Sequence, residues 1–234
     1  MAPRRSETPS GNRRSDILDA AQRLVTTKGY EQMTIEDILT ELHISKGAFY
    51  HYFDSKADLL QALVTRMRDE TCNLLAPVLE DPNLTALQKL QRWFDTAAQW
   101  KAARKDYLLM LLRVWYHDDN AVVRQKLRAD MLAWMGPMLT PVIRQGIDEG
   151  VFATPFPDHI GQVVFSLLYE LGDGLAAHIL SGDSGEAAVA RARRATAAFT
   201  DAIERALGTP TGSLSLIDPH QLQEWYLAPA AAAP

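Results

Sequence analysis

Apolar residues recur at helical spacing along most of the chain, beginning near its N-terminus. Between Asn12 and Lys28 they lie three or four positions apart, which predicts an amphipathic helix with a buried face of Ile17, Ala20, Ala21, Leu24 and Val25. Gly29 follows and suits a left-handed helix end. A second helix is predicted over 34–42, because Thr34 and Asp37 fit an N-terminal cap and the apolar positions are Ile35, Ile38, Leu39 and Leu42.

A third, shorter helix is predicted almost immediately afterwards. Only two residues separate the second helix from Ser45, a residue type that favours helix N-caps. The segment 45–53 carries a lysine and three hydrogen-bonding rings, together with Phe49 and Phe53, which we expect in the core. Two short helices joined by a tight turn, the second presenting donors, are typical of helix-turn-helix proteins that read the DNA major groove. The same pair also occurs in proteins that bind no nucleic acid.

Six further helices are predicted in the rest of the chain, and no segment alternates as a strand does. Their approximate ranges are 55–76, 84–104, 106–117, 120–149, 156–182 and 184–208. We expect Pro77 to end the first of them, and Gly136-Pro137 with Pro141 to kink the fourth. The pattern predicts an all-α protein of about nine helices, with a three-helix N-terminal domain and a larger C-terminal helical domain.

The last 26 residues have a different composition. Asp218-Pro219 can open another short helix that would contain Trp225 and Tyr226, since proline suits the first helical position. Two large aromatic side chains on one short segment indicate that it docks against the body of the protein or a partner subunit. The residues 228–234 are expected to be disordered.

The N-terminal quarter of the chain resembles the DNA-binding domain of the TetR family of transcriptional regulators. The segments that carry the resemblance are Ile17–Ala21, Lys28–Tyr30, Met33–Ile38, Ser45–Phe53 and Ser55–Leu60. A later stretch, Ile143–Phe152, also resembles a recurring segment of the family. Family members usually carry glycine where this chain has His43. Because histidine tolerates a left-handed backbone better than most residues, we expect the turn to persist.

The resemblance implies four parts with different functions. Residues 1–11 would form a flexible basic arm, 12–67 the helix-turn-helix DNA-binding domain, 68–208 an effector-binding and dimerisation domain, and 209–234 a C-terminal extension. The implied function is that of a sequence-specific DNA-binding regulator, a dimeric repressor released from a palindromic operator by a small apolar or aromatic ligand. The alternative is a helical ligand-binding or interaction module without effector-controlled DNA release.

Composition and charge refine this picture. The 234 residues, 47% of them hydrophobic, suffice for one small and one larger domain. The single cysteine, Cys72, excludes an internal disulfide framework and suits a reducing compartment. No signal peptide is indicated, and the longest strongly apolar run, Tyr107–Leu112, is too short to cross a bilayer. We therefore expect a soluble cytoplasmic protein without a membrane partner.

The charge distribution indicates a DNA site built from a few placed cations. Residues 1–60 hold eight Lys and Arg against nine Asp and Glu, so a broadly basic footprint is absent. Four arginines nevertheless lie within the first 14 residues, and Lys46 and Lys56 flank the third helix. We expect phosphate affinity to depend on these cations and on backbone N–H groups at helix starts.

The predicted contacts to double-stranded operator DNA lie on and around the third helix. Hydroxyl caps would meet phosphate oxygens, Lys46 and Ala48 would lie at the end that meets base edges, and Gly47 would let the backbone approach. For each residue the alternative is a surface cap or a packed ring. The full set is Thr34, Ser45, Lys46, Gly47, Ala48, Tyr50, His51 and Lys56.

Two apolar stripes predict a homodimer interface. The first comprises Ile160, Val164, Leu167, Leu171, Gly174 and His178, and the second Val189, Ala192, Thr196, Phe199 and Ile203. Small residues among them permit close helix approach. The resemblance implies a four-helix bundle made by these two helices of each subunit, which presents two recognition helices to a palindrome. The alternative is that both stripes face the core of their own subunit.

The middle helices are rich in aromatic residues and methionine, which can line an adaptable apolar pocket. The resemblance favours a pocket for an unidentified small-molecule effector, whereas for any single residue the core is the alternative. Gln91, His117 and His178 are further polar candidates. The candidate effector-binding residues are Trp93, Trp100, Tyr107, Met110, Arg113, Trp115, Trp134, Met138, Phe165, Tyr169 and Asp173.

An enzyme is not expected. His117-Asp118-Asp119 fits a polar turn with a helix cap at least as well as an acid–base site. Ser181 and Ser184 lie in a glycine-containing turn without the strand–turn–helix context of a nucleophile elbow. No cofactor and no metal site are predicted.

Overall fold

The computed structural model describes residues 10–116 and 121–227, and within these ranges every regular element is an α-helix. The all-α class is confirmed, and the described ranges hold one helix beyond the nine expected, in the C-terminal extension. Residues 1–9 of the expected arm, His117 and 228–234 lie outside the described residues. The helices are α1 (Ser10–Lys28), α2 (Ile35–Leu42), α3 (Lys46–Tyr50), α4 (Lys56–Glu80), α5 (Ala86–Ala102), α6 (Lys105–Trp115), α7 (Ala121–Asp148), α8 (Ile160–Leu180), α9 (Gly185–Leu207) and α10 (Pro219–Leu227).

The chain divides into two compact units. Unit 1 comprises residues 1–70 and 106–121, and unit 2 comprises 71–105 and 122–234. The first boundary lies close to the expected one at 67/68. The segment 106–121, by contrast, belongs to unit 1 and not to the C-terminal domain, because its Leu111 and Val114 are buried in the same core as Phe49.

The core of unit 1 joins the apolar faces of α1, α2, α3 and α6 with the first turns of α4. Phe49 and Phe53 are both fully buried, and their ring centroids lie 5.7 Å apart. Burying an aromatic or aliphatic side chain of this size contributes roughly 1.5–3 kcal/mol. The two phenylalanines therefore hold the short helix α3 against the rest of the unit.

A capping box starts α2 as the sequence predicts. The Thr34 hydroxyl accepts a hydrogen bond from the Asp37 N–H at 3.1 Å, and the Asp37 carboxylate accepts one from the Thr34 N–H at 2.9 Å. Lys28 Nζ lies 2.7 Å from the same carboxylate and links it to the end of α1. These contacts hold the pKa of Asp37 at about 2, chiefly through the hydrogen bond from Lys28, with the Thr34 backbone and side chain adding to it.

The turn between α2 and α3 forms with a histidine in the left-handed position, as expected. His43 has φ 52° and ψ 45°, and it is the non-glycine residue with a positive φ among the described residues. Its N–H donates to the Thr40 carbonyl, and the Ile44 N–H donates to the Leu39 carbonyl at 3.1 Å. This is the Schellman arrangement of a helix C-terminus, and the packing of Leu39 and Ile44 in the unit 1 core accompanies it.

The prediction that Pro77 ends its helix is wrong. The helix α4 includes Pro77 and continues to Glu80. Leu75 and Leu79, one on each side of the proline, are both buried in the unit 2 core. Because the missing N–H affects only the last turns of a long helix, this burial outweighs the local penalty. Both prolines of α7 also lie within a continuous helix, and the expected kink there stays a prediction.

A close approach of backbone and ring explains one glycine in the stretch 143–152. A Cβ atom on Gly146 would lie 2.0 Å from the Phe152 ring, so only glycine leaves room for that buried ring. The Gly146 carbonyl also accepts hydrogen bonds from the Val151 and Phe152 N–H groups. The chain thus folds back on the end of α7 and buries Phe152 in the unit 2 core.

The extension is part of unit 2 and not a separate segment. The buried Glu204 carboxylate accepts hydrogen bonds from the Gly212 and Leu214 N–H groups at 3.1 and 2.9 Å. The Gln91 side chain makes a reciprocal pair with the Ser215 backbone, donating to its carbonyl at 3.0 Å and accepting from its N–H at 2.8 Å. These contacts carry Leu214 and Leu216 into the core.

Residues 209–216 form a strap across unit 2, and after it α10 packs on α9. This confirms the expectation that the aromatic extension docks against the body of the protein. Leu222 and Tyr226 are buried against Ala188, Val189 and Ala192. The Tyr226 hydroxyl donates to the Leu175 carbonyl of α8 at 3.2 Å.

Within the described residues, α8 is the one helix whose length and composition would allow it to cross a membrane. Its sequence contains no long uninterrupted apolar run, because Glu170 and Asp173 lie within it. Only 22% of its most apolar window is buried within the chain. The helix therefore presents an apolar surface that the rest of this subunit leaves uncovered.

The Asp37 carboxyl leads to a prediction about pH. A group whose pKa is lowered on folding stabilises the fold above its unfolded value, and this contribution is lost as the pH falls through the folded value. We expect the cap of α2 to be intact above about pH 4 and lost between about pH 4 and pH 2. Carboxyl-carbon NMR titration should give a midpoint near 2, and the variant Lys28→Met should shift it upward. A wild-type midpoint at the ordinary value of 3.8 would contradict this account.

Candidate nucleic-acid interface

The helix α3 is short and fixed at its N-terminus. Ser45 has extended backbone angles, and its hydroxyl accepts a hydrogen bond from the Ala48 N–H at 3.2 Å. The backbone N–H groups of the first turn point out of this end of the helix, as in any helix N-terminus. Phe49 on the opposite side is fully buried. The helix therefore turns one face to the core and leaves the other to a partner.

Tyr50 and His51 lie on the exposed side of α3, as the sequence predicts. The Tyr50 side chain is 42% exposed, and its ring meets Phe49 edge-on with the centroids 5.4 Å apart. His51 is exposed, and its ring packs edge-on against Tyr52 at 4.8 Å. Each ring is thus supported on one edge by a neighbouring ring while its polar atoms face outward.

Gly47 and Ala48 are placed differently from each other. A Cβ atom on Gly47 would meet only the Ser45 hydroxyl, at 4.0 Å, so no described residue requires glycine there. The open surface would instead allow a large ligand to approach the backbone. Ala48 is half-buried, which leaves its methyl group partly available.

The two lysines that flank α3 have different surroundings. Lys46 is exposed, with Nζ 5.9 Å from the Tyr50 ring centroid, and no described carboxylate lies within salt-bridge distance of it. Lys56, in the first turn of α4, is half-buried; its Nζ donates to the Glu31 carbonyl at 3.1 Å and lies 4.4 Å from the Tyr30 ring centroid. Lys46 is therefore an adaptable charge, whereas Lys56 is held in place.

Thr34 has a structural role that counts against its predicted DNA contact. Its hydroxyl donates to the Asp37 carboxylate at 3.0 Å and accepts from the Asp37 N–H. Both functions of the hydroxyl are thus used in starting α2. The anionic carboxylate beside it would also repel a phosphate.

Four other described cations of unit 1 are paired with carboxylates, namely Arg23, Lys28, Arg66 and Arg68. Arg23 binds Glu41 at 2.7 Å, and Arg66 binds Asp19 at 2.5 Å. Arg14 stacks over the Phe53 ring at 5.2 Å. Among the described cations of unit 1, Lys46 and Lys56 on either side of α3 are not in such pairs, and neither are Arg13, Arg14 and Arg113.

Tyr30 is the residue of this surface that sequence reasoning missed. Its hydroxyl donates to the Lys56 carbonyl at 3.1 Å, and its ring receives the Lys56 ammonium. Burial raises its pKa to about 12. The aromatic residue directly after the helix-ending Gly29 was a signal in the sequence, but its partner lies 26 residues further on.

The predicted dimer residues divide by burial. On α9, Val189, Ala192, Thr196 and Ile203 are buried within the chain, and α10 covers the first two; on α8, Ile160, Val164 and Leu171 are also buried. These side chains have little accessible surface left that a partner subunit could bury, because they face the core of their own subunit. The predicted positions that stay exposed or half-buried are Leu167, Gly174, His178 and Phe199.

The exposed face of α8 shares two positions with the predicted stripe and extends to residues outside it. Val163 is 45% exposed, and it is followed at helical spacing by the half-buried Leu167 and the exposed Glu170 and Gly174. On α9 the half-buried small and aromatic positions recur in the same way, at Ala195, Phe199, Ala202 and Ala206.

The predicted effector residues are divided between the two units. Four of them lie in unit 1, where Tyr107 and Met110 pack against the core around Phe49; the four are Tyr107, Met110, Arg113 and Trp115. The others lie in unit 2 and include the buried Trp93, Trp100 and Phe165, the half-buried Met138, Tyr169 and Asp173, and the exposed Trp134. Gln91, a further polar candidate, is instead used by the extension.

Trp93 has an unusual environment. Its side chain is 5% exposed, and its indole Nε1 finds no hydrogen-bond acceptor among the described residues. An unpaired buried donor costs about 1–3 kcal/mol.

Elsewhere in unit 2 the Arg128 guanidinium stacks over the Tyr169 ring at 4.9 Å and lies 3.7 Å from Glu170. Within the part of the chain that the structure describes, no group of three or more His, Cys, Asp or Glu could hold a metal ion.

Comparison with known proteins adds to this geometry. Residues 17–63 match the family model described as bacterial regulatory proteins, tetR family. The uncharacterised HTH-type transcriptional regulator YfiR of Bacillus subtilis is 23% identical over 194 residues, which cover 81% of this chain and 90% of that protein. The HTH-type transcriptional regulator EthR of Mycolicibacterium smegmatis is 42% identical over 98 residues, which cover 40% of this chain and only 45% of that protein.

The fold is shared with solved structures. A TetR-family transcriptional regulator from Pectobacterium atrosepticum superposes with a TM-score of 0.63 at 19% identity, over 88% of this chain and 100% of that chain. These proteins are transcriptional regulators and not enzymes, and the family match spans the helices that position α3. Residues 17–63 therefore form a helix-turn-helix domain of the tetR family of bacterial regulatory proteins.

Proposed function

We propose that this chain is a cytoplasmic, homodimeric repressor that binds a palindromic operator through α3 and leaves it when a small apolar or aromatic effector binds unit 2. The observation that carries the proposal is the placement of α3, whose Phe49 is locked in the core while Tyr50 and His51 face outward. A mobility-shift assay with the DNA upstream of the protein's own gene is the primary test. A helical module without DNA binding would give no shift in that assay.

The DNA contact combines few charges with well-placed donors. Lys46, Gly47 and Ala48 form the first turn of α3, the end that enters the major groove in helix-turn-helix proteins. Tyr50, His51 and the Ser45 hydroxyl supply further donors, and Lys56 supplies a fixed charge for the phosphate backbone. Because the chain carries a net charge of −5, affinity rests on these local groups and not on a general positive field.

Dimerisation follows from the uncovered surface of α8. Val163, Leu167 and Gly174 form a stripe that the exposed Glu170 interrupts, and the glycine admits close approach. The half-buried Phe199 and its neighbouring alanines on α9 supply a second stripe. A second copy of the chain covers both in a two-fold bundle, which is the arrangement that presents two recognition helices to a palindrome.

The effector proposal is supported by Trp93. A ligand with a hydrogen-bond acceptor would satisfy the buried Nε1 that lacks a partner among the described residues, and the neighbouring Phe94 ring, 5.4 Å away, offers an apolar wall. Release of DNA then requires only that the ligand binds one dimer conformation more tightly than the other. A tenfold loss of operator affinity corresponds to about 1.4 kcal/mol of coupling.

The contribution of α3 can be tested with single substitutions. Tyr50→Phe keeps the ring contact with Phe49 and removes only the hydroxyl, and His51→Ala removes the outward imidazole. Each should lower operator affinity by roughly 5- to 100-fold, as expected for a contact to a base edge or phosphate, without changing the melting temperature. Fluorescence anisotropy at fixed salt measures this. The control is His220→Ala, an exposed histidine of α10 that should leave affinity unchanged. Equal affinities for all three variants would remove Tyr50 and His51 from the site.

The dimer surface can be tested by placing a charge on it. Val163→Glu should raise the dimer dissociation constant by roughly 100-fold or more, because two unpaired carboxylates would enter an apolar interface. The matched control is Leu74→Glu on α4, where the leucine is 41% exposed, close to the 45% of Val163. Analytical ultracentrifugation distinguishes the two. If both variants associate alike, α8 does not form the interface through Val163.

The effector site can be tested through Trp93. Without ligand, Trp93→Phe should keep or raise the melting temperature, since it removes an unpaired buried donor. A panel of aromatic compounds, half of them carrying a carbonyl acceptor, is then screened for operator release. For active carbonyl compounds the variant should need roughly 3- to 10-fold more ligand, the effect of losing one hydrogen bond. Trp225→Phe on α10 is the control, and an identical response of both variants would exclude the Trp93 contact.

A further inference from the structure

We infer that Tyr30 is a positioning residue for DNA binding, which holds the Lys56 ammonium ready to contact an operator phosphate. The inference rests on the proposed function, in which Lys56 meets the DNA backbone. Tyr30, which itself touches no DNA, holds the Lys56 ammonium in place before DNA binds.

The two side chains hold each other in both directions. The Tyr30 hydroxyl donates to the Lys56 backbone carbonyl at 3.1 Å, while the Lys56 ammonium lies 4.4 Å from the Tyr30 ring centroid. The ammonium also donates to the Glu31 carbonyl at 3.1 Å. Tyr30 and Glu31, the two residues that follow Gly29, thus fix both the backbone of Lys56 and the charged end of its side chain.

This arrangement leaves the charge available. An ammonium group has three N–H donors, and the Glu31 carbonyl takes one of them. The ring face attracts the cation without consuming a donor. Lys56 is half-buried. The Glu31 carboxylate interacts with it electrostatically but does not lie within salt-bridge distance of its Nζ, in contrast to Asp37, which is paired with Lys28. The remaining donors can therefore meet a phosphate.

Presetting the side chain matters because lysine is flexible. A free lysine loses much of its rotamer freedom when it binds a phosphate, and this loss opposes binding. Here the loss has already occurred in the DNA-free protein. Burial raises the pKa of Tyr30 to about 12, so its hydroxyl stays protonated and keeps donating throughout the pH range of DNA binding.

The position in the fold gives the pair a second consequence. Tyr30 belongs to the turn between α1 and α2, and Lys56 to the first turn of α4, so the pair bridges the elements before and after the helix-turn-helix. The Ser55 hydroxyl, which accepts from the Asp58 N–H at 3.0 Å, fixes the same end of α4. The ammonium is therefore placed relative to a rigid helix start.

The test is a double-mutant cycle read by salt dependence. Operator affinity is measured between 50 and 200 mM salt (about the range used for such slopes) for the wild type, Lys56→Met, Tyr30→Leu, Tyr30→Phe and the double variant Tyr30→Leu/Lys56→Met. Lys56→Met should lower affinity and reduce the salt slope by about one unit. Tyr30→Leu should reduce the slope in the same direction, and the double variant should be no weaker than Lys56→Met alone. Tyr30→Phe keeps the ring and should keep most of the slope.

The outcomes distinguish the phosphate contact of Lys56 from the positioning role of Tyr30. A wild-type slope in Lys56→Met would overturn the phosphate contact and this inference together. A reduced slope in Lys56→Met with a wild-type slope in Tyr30→Leu, or additive losses in the double variant, would overturn the inference alone.

A second measurement covers the case in which Tyr30→Leu fails to fold. Because guanidinium also stacks on aromatic rings, Lys56→Arg should retain the slope, both alone and in the double variant Tyr30→Phe/Lys56→Arg. Loss of the slope in both of these variants would overturn the role of the ring.

Discussion

The burial of Phe49 is the interaction on which the DNA-reading surface depends. A helix of five residues is too short to be stable in isolation, because the conformational entropy lost in forming the first turn exceeds the free energy gained from its hydrogen bonds. The position of α3 therefore comes from its surroundings: Phe49 and Phe53 inside the core, the Ser45 cap at one end and the left-handed His43 before it. Every outward group of α3 is placed by an inward one, so core substitutions beneath this helix affect DNA binding without touching DNA.

Unit 2 is organised around a surface that its own chain leaves uncovered. The helix α8 is apolar over most of its length, yet most of its residues are not buried within the subunit. The extension covers the part of α9 that carries Val189 and Ala192, and it leaves the Val163 side of α8 open. The extension therefore limits which parts of α8 and α9 remain open. In the dimer proposed above a partner covers this open stripe, which links the concentration of the protein to its capacity to read a palindrome.

Local features of the fold could be predicted from the sequence, and features that depend on distant residues could not. The capping box at Thr34, the turn at His43 and the outward position of Tyr50 each follow from neighbouring residues. By contrast, α4 continues through Pro77 because Leu79 is buried by residues far away in sequence. Gln91, considered as a ligand group, is used by Ser215 instead. The predicted dimer stripes show the same limit, because spacing identifies the apolar face of a helix but not which neighbour covers it.

The strap formed by residues 209–216 has a consequence for the order of folding. Leu214 and Leu216 complete the core that also contains Leu90 and Trp93, and the Gln91–Ser215 pair joins positions 124 residues apart. During synthesis, α5 therefore leaves the ribosome long before its partners exist. Contacts of such sequence separation form slowly, and the apolar surfaces that await them are exposed in the meantime. The core of unit 2 therefore cannot be completed until residue 216 has been synthesised.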